Sequence, residues 1–420
     1  MADSRTWRRS ESGWCVRGSQ REEKKTSTGR RASVSRHARI ARSGTTSFST
    51  RPNTRRNSSS YTADPILCSR SGTKQVSRFF FVSRLPDMRV TVLGGGVCGL
   101  TSALRIKREI PSVRLEVIGE RIASRTAPND DDITTSEGAA GLWKPFALSG
   151  TPDELVNRWG RETLDHYMGI YLSGAAPNAG ILLSSAYELF EEPLVALPAW
   201  RDVVPAFRRL TQADVHFYDP SGRHVDGYSY DTIITEGRLY LGWICDQLEE
   251  MGVTITQRKV ESLEEIESDR LIVDCCGLGS RELFADQELY GIRGHVLRVR
   301  APWVRHHVES HGLDATRPAY IIPNTDTVVL GGTKERSEDL SSTEEERREI
   351  FDRCKEIVPS LEAAEVLGHW VGLRPGREGI RLELEEIGGR TVIHNVGHGG
   401  SGLTLAWGCA GDVVKLVTSL

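Results

Sequence analysis

The sequence predicts an α/β fold built from units of strand, glycine turn and helix, and three observations carry that expectation. An apolar strand, Met88 to Leu93, runs into Gly94-Gly95-Gly96-Val97-Cys98-Gly99 and then into a helical pattern, Leu100 to Glu109. A second strand, Val113 to Ile118, is followed by Glu120, 21 residues past Gly99. At the far end the order returns as a strand from Arg390 to Asn395, the turn Gly397-His398-Gly399-Gly400-Ser401-Gly402, and a helix from Leu403 to about Val417.

Each part of the first unit has a chemical reason. Gly94, Gly96 and Gly99 fill the G-x-G-x-x-G positions, where the first glycine allows a tight turn, the second lets backbone approach a pyrophosphate and the third lets helix pack closely on strand. The helix N-terminus then offers unpaired N–H groups and a positive dipole end to the phosphates. Glu120 stands where an acid bonds a ribose hydroxyl. The closing turn fits two readings: a second helix N-terminus aimed at the same large ligand, as in a flavin-binding sheet, or an ordinary Rossmann-type βα unit with a flexible loop. The first unit alone also fits a nicotinamide-dependent dehydrogenase or a non-catalytic Rossmann-type binding protein, but a dehydrogenase leaves the closing turn unexplained.

Composition narrows the classes. A chain of 420 residues with 38% hydrophobic content has room for two or three domains and a sizeable core. No apolar run reaches the roughly 18 residues that span a bilayer. The net charge of −3 hides a split, with 19 Lys+Arg against 6 Asp+Glu in residues 1–87 and 35 against 51 in the rest. That acidic remainder argues against a nucleic-acid partner. The 8 cysteines show no C-x-x-C spacing and read as buried thiols in a reducing compartment, with no metal site.

Residues 1–87 are rich in Ser and Arg and lack hydrophobic periodicity until Phe79-Phe80-Phe81-Val82, so disorder is expected there. An organelle transit peptide and an upstream over-extension of the reading frame, with Met88 as the true start, both fit this segment. From Met88 on, strands and helices alternate. After a polar loop, Ser124 to Glu137, and the small-residue run Gly138 to Pro145, helical spacing is expected over Pro152 to Leu172, a strand over Ile181 to Phe190 and helix or turn over Trp200 to Leu210. An amphipathic helix from Glu236 to about Gly252 precedes strands at Val253 to Gln257, Leu271 to Cys275, Gly294 to Val299, Ala319 to Pro323 and Thr327 to Gly331. A charged helix, Thr343 to Ile357, follows.

Six ordered stretches resemble the D-amino-acid oxidase family, which includes the D-aspartate oxidases. They are Val92 to Leu100, Ala139-Ala140-Gly141-Leu142-Trp143, Arg258-Lys259-Val260-Glu261-Ser262, Tyr320-Ile321-Ile322-Pro323, Gly372-Leu373-Arg374-Pro375 and His394 to Gly400. The likeness runs from Met88 to Leu420 and leaves residues 1–87 outside. It implies a Rossmann-type FAD-binding domain (88–142, 232–285 and 371–420) with an interleaved, mostly antiparallel substrate-binding domain (143–231 and 286–370). It also implies oxidative deamination of a D-amino acid to a 2-oxo acid, ammonia and hydrogen peroxide, with hydride passing from Cα to flavin N5 and molecular oxygen as acceptor. A homodimer is compatible with it.

By position, the resemblance assigns the cofactor to Gly94, Gly96, Val97, Cys98, Gly99, Glu120, Arg121, Thr134, Thr135, Ser136, Ala140, Gly141, Leu142, Val260, Gly277 and the run Gly399, Gly400, Ser401, Gly402, Leu403 and Thr404. Arg374, flanked by Gly372, Leu373 and Pro375 with no adjacent acid, offers the planar fork that pairs with a carboxylate. Tyr320 matches a tyrosine that shares that carboxylate. His398 is expected to be structural.

The chain departs from the mammalian D-amino-acid oxidases at Thr316, Lys144, Phe146, Ser401 and Gly279, where those enzymes carry tyrosine, glutamine, tyrosine, tyrosine and tryptophan. Thr316, Ser401 and Lys334 therefore become the expected specificity positions. Lys334 replaces the arginine that D-aspartate oxidases turn to the second carboxylate of their substrate, and a surface pair with Glu335 is the alternative use of its charge. Broad activity on neutral D-amino acids is expected, with some on D-Asp or D-Glu. The chain ends Thr418-Ser419-Leu420, without the basic middle residue of a Ser-Lys-Leu signal, so the expected location is peroxisomal or cytoplasmic.

Overall fold

A computed structural model describes residues 88–123 and 133–420. The expectations for residues 1–87, and for most of the loop after Ala123, lie outside the described residues. In chain order the strands are β1 (Arg89–Gly95), β2 (Arg114–Ile122), β3 (Ile181–Phe190), β4 (Arg208–Arg209), β5 (Asp226–Thr235), β6 (Thr254–Gln257), β7 (Leu271–Asp274), β8 (Tyr290–Arg300), β9 (His307–His311), β10 (Ala319–Pro323), β11 (Val328–Gly331), β12 (Glu335–Arg336), β13 (Glu365–Ile387) and β14 (Arg390–His398). The helices are α1 (Val97–Glu109), α2 (Thr135–Gly138), α3 (Asp153–Leu172), α4 (Ala176–Ala179), α5 (Gln212–Tyr218), α6 (Gly237–Glu250), α7 (Ser280–Leu283), α8 (Glu344–Ile357) and α9 (Gly402–Thr418).

All these strands join one sheet in the order β4-β5-β3-β9-β10-β11-β8-β13-β14-β7-β1-β2-β6, with β12 paired to β8. The segment β14-β7-β1-β2-β6 is parallel. From β14 across β13 to β4 every pairing is antiparallel except β3 with β9. In β1 the side chains alternate between two cores: Val90 and Val92 pack with α1, α6 and α9, while Leu93 joins Ile118, Ile272 and Val392 on the other face. Burial on both faces explains why the parallel strands read as apolar runs.

Helix α9 is buried along most of its length because it lies against both α1 and α3. Gly408 makes that approach possible, since a Cβ there would fall 2.3 Å from Trp159 Cα. The expected elements are present within a few residues, with α1 opening three residues early at Val97 and the Trp200–Leu210 stretch resolving into a 3-10 turn, Ala199–Asp202, and β4. Besides the two-residue β4 and β12, three strands go beyond the expected set. β5 is buried yet carries Asp, Ser and Thr among its apolar residues, β9 alternates histidines and a glutamate with Val and Ser, and β13 is interrupted by glycines and Pro375. Each hides its period-2 pattern behind residues usually read as turn or surface.

Candidate active site

The glycine turn after β1 opens onto a cavity of about 740 Å³. Gly94 holds φ at +121°, and a Cβ there would lie 2.3 Å from the Cys275 carbonyl oxygen, so only glycine fits. A Cβ on Gly99 would lie 2.0 Å from the Gly94 carbonyl oxygen. Gly96 differs, because its Cβ position is open to the cavity apart from Ser136 Oγ at 3.3 Å. It caps α1 without a side-chain bond, and no acid occupies the first turn. At α9 the cap is Ser401, again without a side-chain bond to the helix and with no acid in the first turn. Two helix N-termini with no acid in their first turns therefore meet one cavity, the Val97 N–H of α1 donating to Ser136 Oγ at 3.1 Å.

Most of the expected cofactor positions line this cavity: Gly94, Gly96, Val97, Cys98, Glu120, Arg121, Thr134, Thr135, Ser136, Ala140, Gly141, Leu142, Val260, Gly277, Gly399, Gly400, Gly402 and Leu403. Thr134 and Glu137 form a reciprocal cap at α2, and the Thr135 hydroxyl donates to the Leu373 carbonyl at 2.9 Å, which ties that loop to β13. Cys98 Sγ lies 3.5 Å from His398 Nδ1. Burial pushes the Cys98 thiol up to about 12 and the His398 imidazole down to about 4, so both are neutral near pH 7 and neither offers a charged acid or base.

Three expected residues stand behind the wall. Gly99 packs beneath the turn. Ser401 is fully buried and its hydroxyl bonds the Phe146 backbone, accepting from N at 2.9 Å and donating to O at 3.0 Å. Thr404 donates to the Lys144 carbonyl at 3.0 Å. The small side chain at Ser401 is thus a fastener for the strip that carries Lys144 and Phe146, not a pocket surface.

At the other end of the cavity stand Tyr320 on β10 and Arg374 on β13. Space for both is made by glycines: a Cβ on Gly331 would lie 2.0 Å from Tyr320 Cζ, and one on Gly294 2.3 Å from Arg374 Nη2. Arg374 Nη1 donates to the carbonyls of Arg293 and Thr333 at 3.0 and 3.2 Å, and the guanidinium carbon lies 5.4 Å from the centre of the Phe146 ring. Among the described residues no carboxylate pairs with it. Burial raises the Tyr320 hydroxyl above its ordinary value, while Arg374 pulls the other way. The tyrosine is a neutral donor beside an uncompensated cation.

The family model for FAD-dependent oxidoreductases designated DAO matches residues 89–416. The chain belongs to that family. As an FAD-dependent oxidoreductase it is 36% identical over 337 residues to the D-aspartate oxidase of Homo sapiens, a match covering 79% of this chain and 94% of the relative. It is 37% identical over 334 residues to the D-amino-acid oxidase of Rubrobacter xylanophilus, covering 78% and 95%. The fold is also similar to that of the glycine oxidase of Geobacillus kaustophilus, with a TM-score of 0.63, 17% identity and coverage of 79% and 95%.

The residues present suit FAD. Glu120 and Arg121 stand on the cavity wall, the open face at Gly96 and the two helix N-termini suit the pyrophosphate, and the glycine run from Gly399, packed on Phe146 and Ala147, brings backbone to the wall.

Of the expected specificity residues, Thr316 is exposed and bonds Asp314 Oδ1. Lys334 lies off the cavity wall, with Nζ 5.4 Å from the centre of the Phe146 ring. Glu335 pairs with Arg293 at 3.4 Å, not with Lys334. The residues that sequence reasoning passed over are Glu188, His307, Glu309 and His311, which gather around Lys144. The order His307-Val308-Glu309-Ser310-His311 held the signal, since alternation puts the three ionisable residues on one face of β9.

Proposed function

We propose that this chain oxidises D-amino acids to 2-oxo acids, releasing ammonia and, with molecular oxygen taking the electrons, hydrogen peroxide. The observation that carries the proposal is Arg374, a half-buried guanidinium on the wall of the nucleotide cavity whose hydrogen-bond acceptors are neutral carbonyls. Such a cation is compensated when a ligand brings a carboxylate. FAD, when bound, supplies the hydride acceptor. The chain supplies position: the Arg374 fork and the Tyr320 hydroxyl hold the α-carboxylate, and the apolar wall from Leu142, Val296 and Ile322 keeps water from the Cα–H bond. The absence of a charged Cys98 or His398 fits a hydride transfer, in which no protein base takes a proton from Cα. The relatives' names support D-amino acids as the substrate class.

Oxygen uptake by the FAD-loaded chain with D-Ala, D-Met, D-Asp and D-Glu, each beside its L-enantiomer, tests this. Uptake with peroxide release on D-enantiomers alone is expected; inertness toward all, or a preference for L, overturns it. A second reading, measurable activity on D-Asp and D-Glu, draws support from Lys334, whose ammonium has no ion-pair partner among the described residues and stands close to Phe146.

A further inference from the structure

One stretch of the cavity wall is charged. Lys144 and Glu309 both line the cavity, and both are buried. Lys144 Nζ donates to Glu188 Oε1 and Oε2, each at 3.0 Å, and to Glu309 Oε2. Its three N–H bonds are spent, so it has none for a ligand. Glu188 is further satisfied by the Tyr230 hydroxyl at 2.9 Å and by His311 Nε2 at 2.6 Å. Glu188, His307 and Glu309 would resemble a cation site, but the Lys144 ammonium already stands between the two carboxylates.

Glu309 Oε1 is different. Among the described residues it receives no hydrogen bond, and His311 Nε2, 3.7 Å away, is engaged with Glu188. Glu309 is 3% exposed as a residue, and it lines the cavity. Burial would favour its protonation, but Lys144 outweighs that and holds the carboxyl down to about 2, so it is ionised. An ionised oxygen on a cavity wall with no donor is a place for a ligand's donor. Glu309 stands opposite Tyr320 in the β9–β10 pairing, so both side chains leave the same face of the sheet, and the apolar Leu142 and Ile322 of the same cavity wall suit the methylene stem of a long cationic side chain.

Resting on the D-amino-acid reading above, we propose that Glu309 makes D-amino acids with a cationic side chain, D-lysine and D-arginine, preferred substrates by accepting a hydrogen bond from the terminal ammonium or guanidinium on Oε1. The site is distinct from Lys334, which would serve side chains of the opposite sign.

The test compares kcat/KM for D-Lys, D-Ala and D-Asp in the FAD-loaded full-length parent and in Glu309→Gln, together with calorimetric titration of the parent with 6-aminohexanoate and hexanoate. The first acid is lysine without its α-amino group, and neither can be oxidised at that centre. Expected are a D-Lys value above that of D-Ala, a fall of at least tenfold for D-Lys in the variant with D-Ala changed less than threefold, and 6-aminohexanoate binding at least tenfold tighter than hexanoate. Equal losses on D-Lys and D-Ala would make Glu309 a partner of the α-amino group and overturn the proposal. Tighter binding of hexanoate in the parent overturns it even if the variant fails to fold. If no D-amino acid is oxidised while 6-aminohexanoate still binds more tightly, the reaction assignment fails and the ligand class stands.

Discussion

Lys334 Nζ stands 5.4 Å from the centre of the Phe146 ring, as does the guanidinium carbon of Arg374. With Lys144 Nζ at 6.0 Å, three cations thus share one aromatic ring, while the acid next to Lys334, Glu335, is turned to Arg293. A cation near a π face gains on the order of 0.5–2 kcal/mol, too little to neutralise its charge, so Lys334 retains a field that a second substrate carboxylate can use.

Replacing Lys334 with methionine tests that field. The kcat/KM for D-Asp should fall at least tenfold, about 1.4 kcal/mol, while that for D-Ala changes little. Parallel steady-state measurements on the two substrates decide it, and an equal effect on both would reduce the residue to a support for Phe146.

Arg374→Leu should leave FAD bound yet depress kcat/KM for every D-amino acid. Removing one partner of a desolvated charge pair costs on the order of 2–5 kcal/mol, or about 30- to several-thousand-fold. The flavin absorbance of the purified variant and its oxygen uptake are the two measurements. A loss under fivefold would put the carboxylate elsewhere.

Gly96→Asp places a side chain and a negative charge where the cavity is open beside the N-terminus of α1. The expected product is a colourless protein with near-parental thermal stability in the absence of added FAD. Retention of the visible flavin spectrum through gel filtration would contradict the pyrophosphate assignment.

His166 gives a pH prediction. Its ring stacks on Trp407 at 3.6 Å between centroids, and Nε2 lies 3.1 Å from the Tyr240 hydroxyl. Burial, helped by Arg108 and Arg105, lowers its pKa to about 3. Because the unfolded chain takes up this proton near pH 6.5 and the folded chain does not, stability falls as pH drops below 6.5, by roughly 2 kcal/mol between pH 6.5 and 5. In thermal melts at these two pH values, His166→Phe should shrink the drop in Tm; an unchanged drop would assign the acid sensitivity to other groups.

The nucleotide end of the cavity was legible because its chemistry is local. Gly94, Gly96, Gly99 and Glu120 act through backbone shape and spacing within one βαβ unit, and those survive in a linear reading. The far end was legible at Arg374 and Tyr320 through family resemblance, and poorly elsewhere. Glu188, Glu309 and Lys144 come from three segments, and a buried glutamate in sequence looks like a surface one until its cation is in place. Ser401 and Thr404, assigned by family position, have roles no linear reading shows, since their hydroxyls bond the backbone of the distant Lys144–Phe146 strip. Strand β13 was missed because Pro375 and its glycines are turn signals, overridden here by pairing with β8 and β14.

That 23-residue strand acts as a ruler. Arg374 is placed by its pairing opposite Ile292, and the same strand continues to Gly376, opposite His398 at the mouth of the closing glycine turn. The span from Arg374, the proposed carboxylate anchor, to the closing glycine turn is therefore set by backbone register, and a slip of one residue would reverse the face on which Arg374 projects. Lys144, Glu188 and Glu309 hang on other segments of the chain. Selection can rewrite that side of the pocket, and with it the range of side chains accepted, without recalibrating the distance on which the oxidation depends.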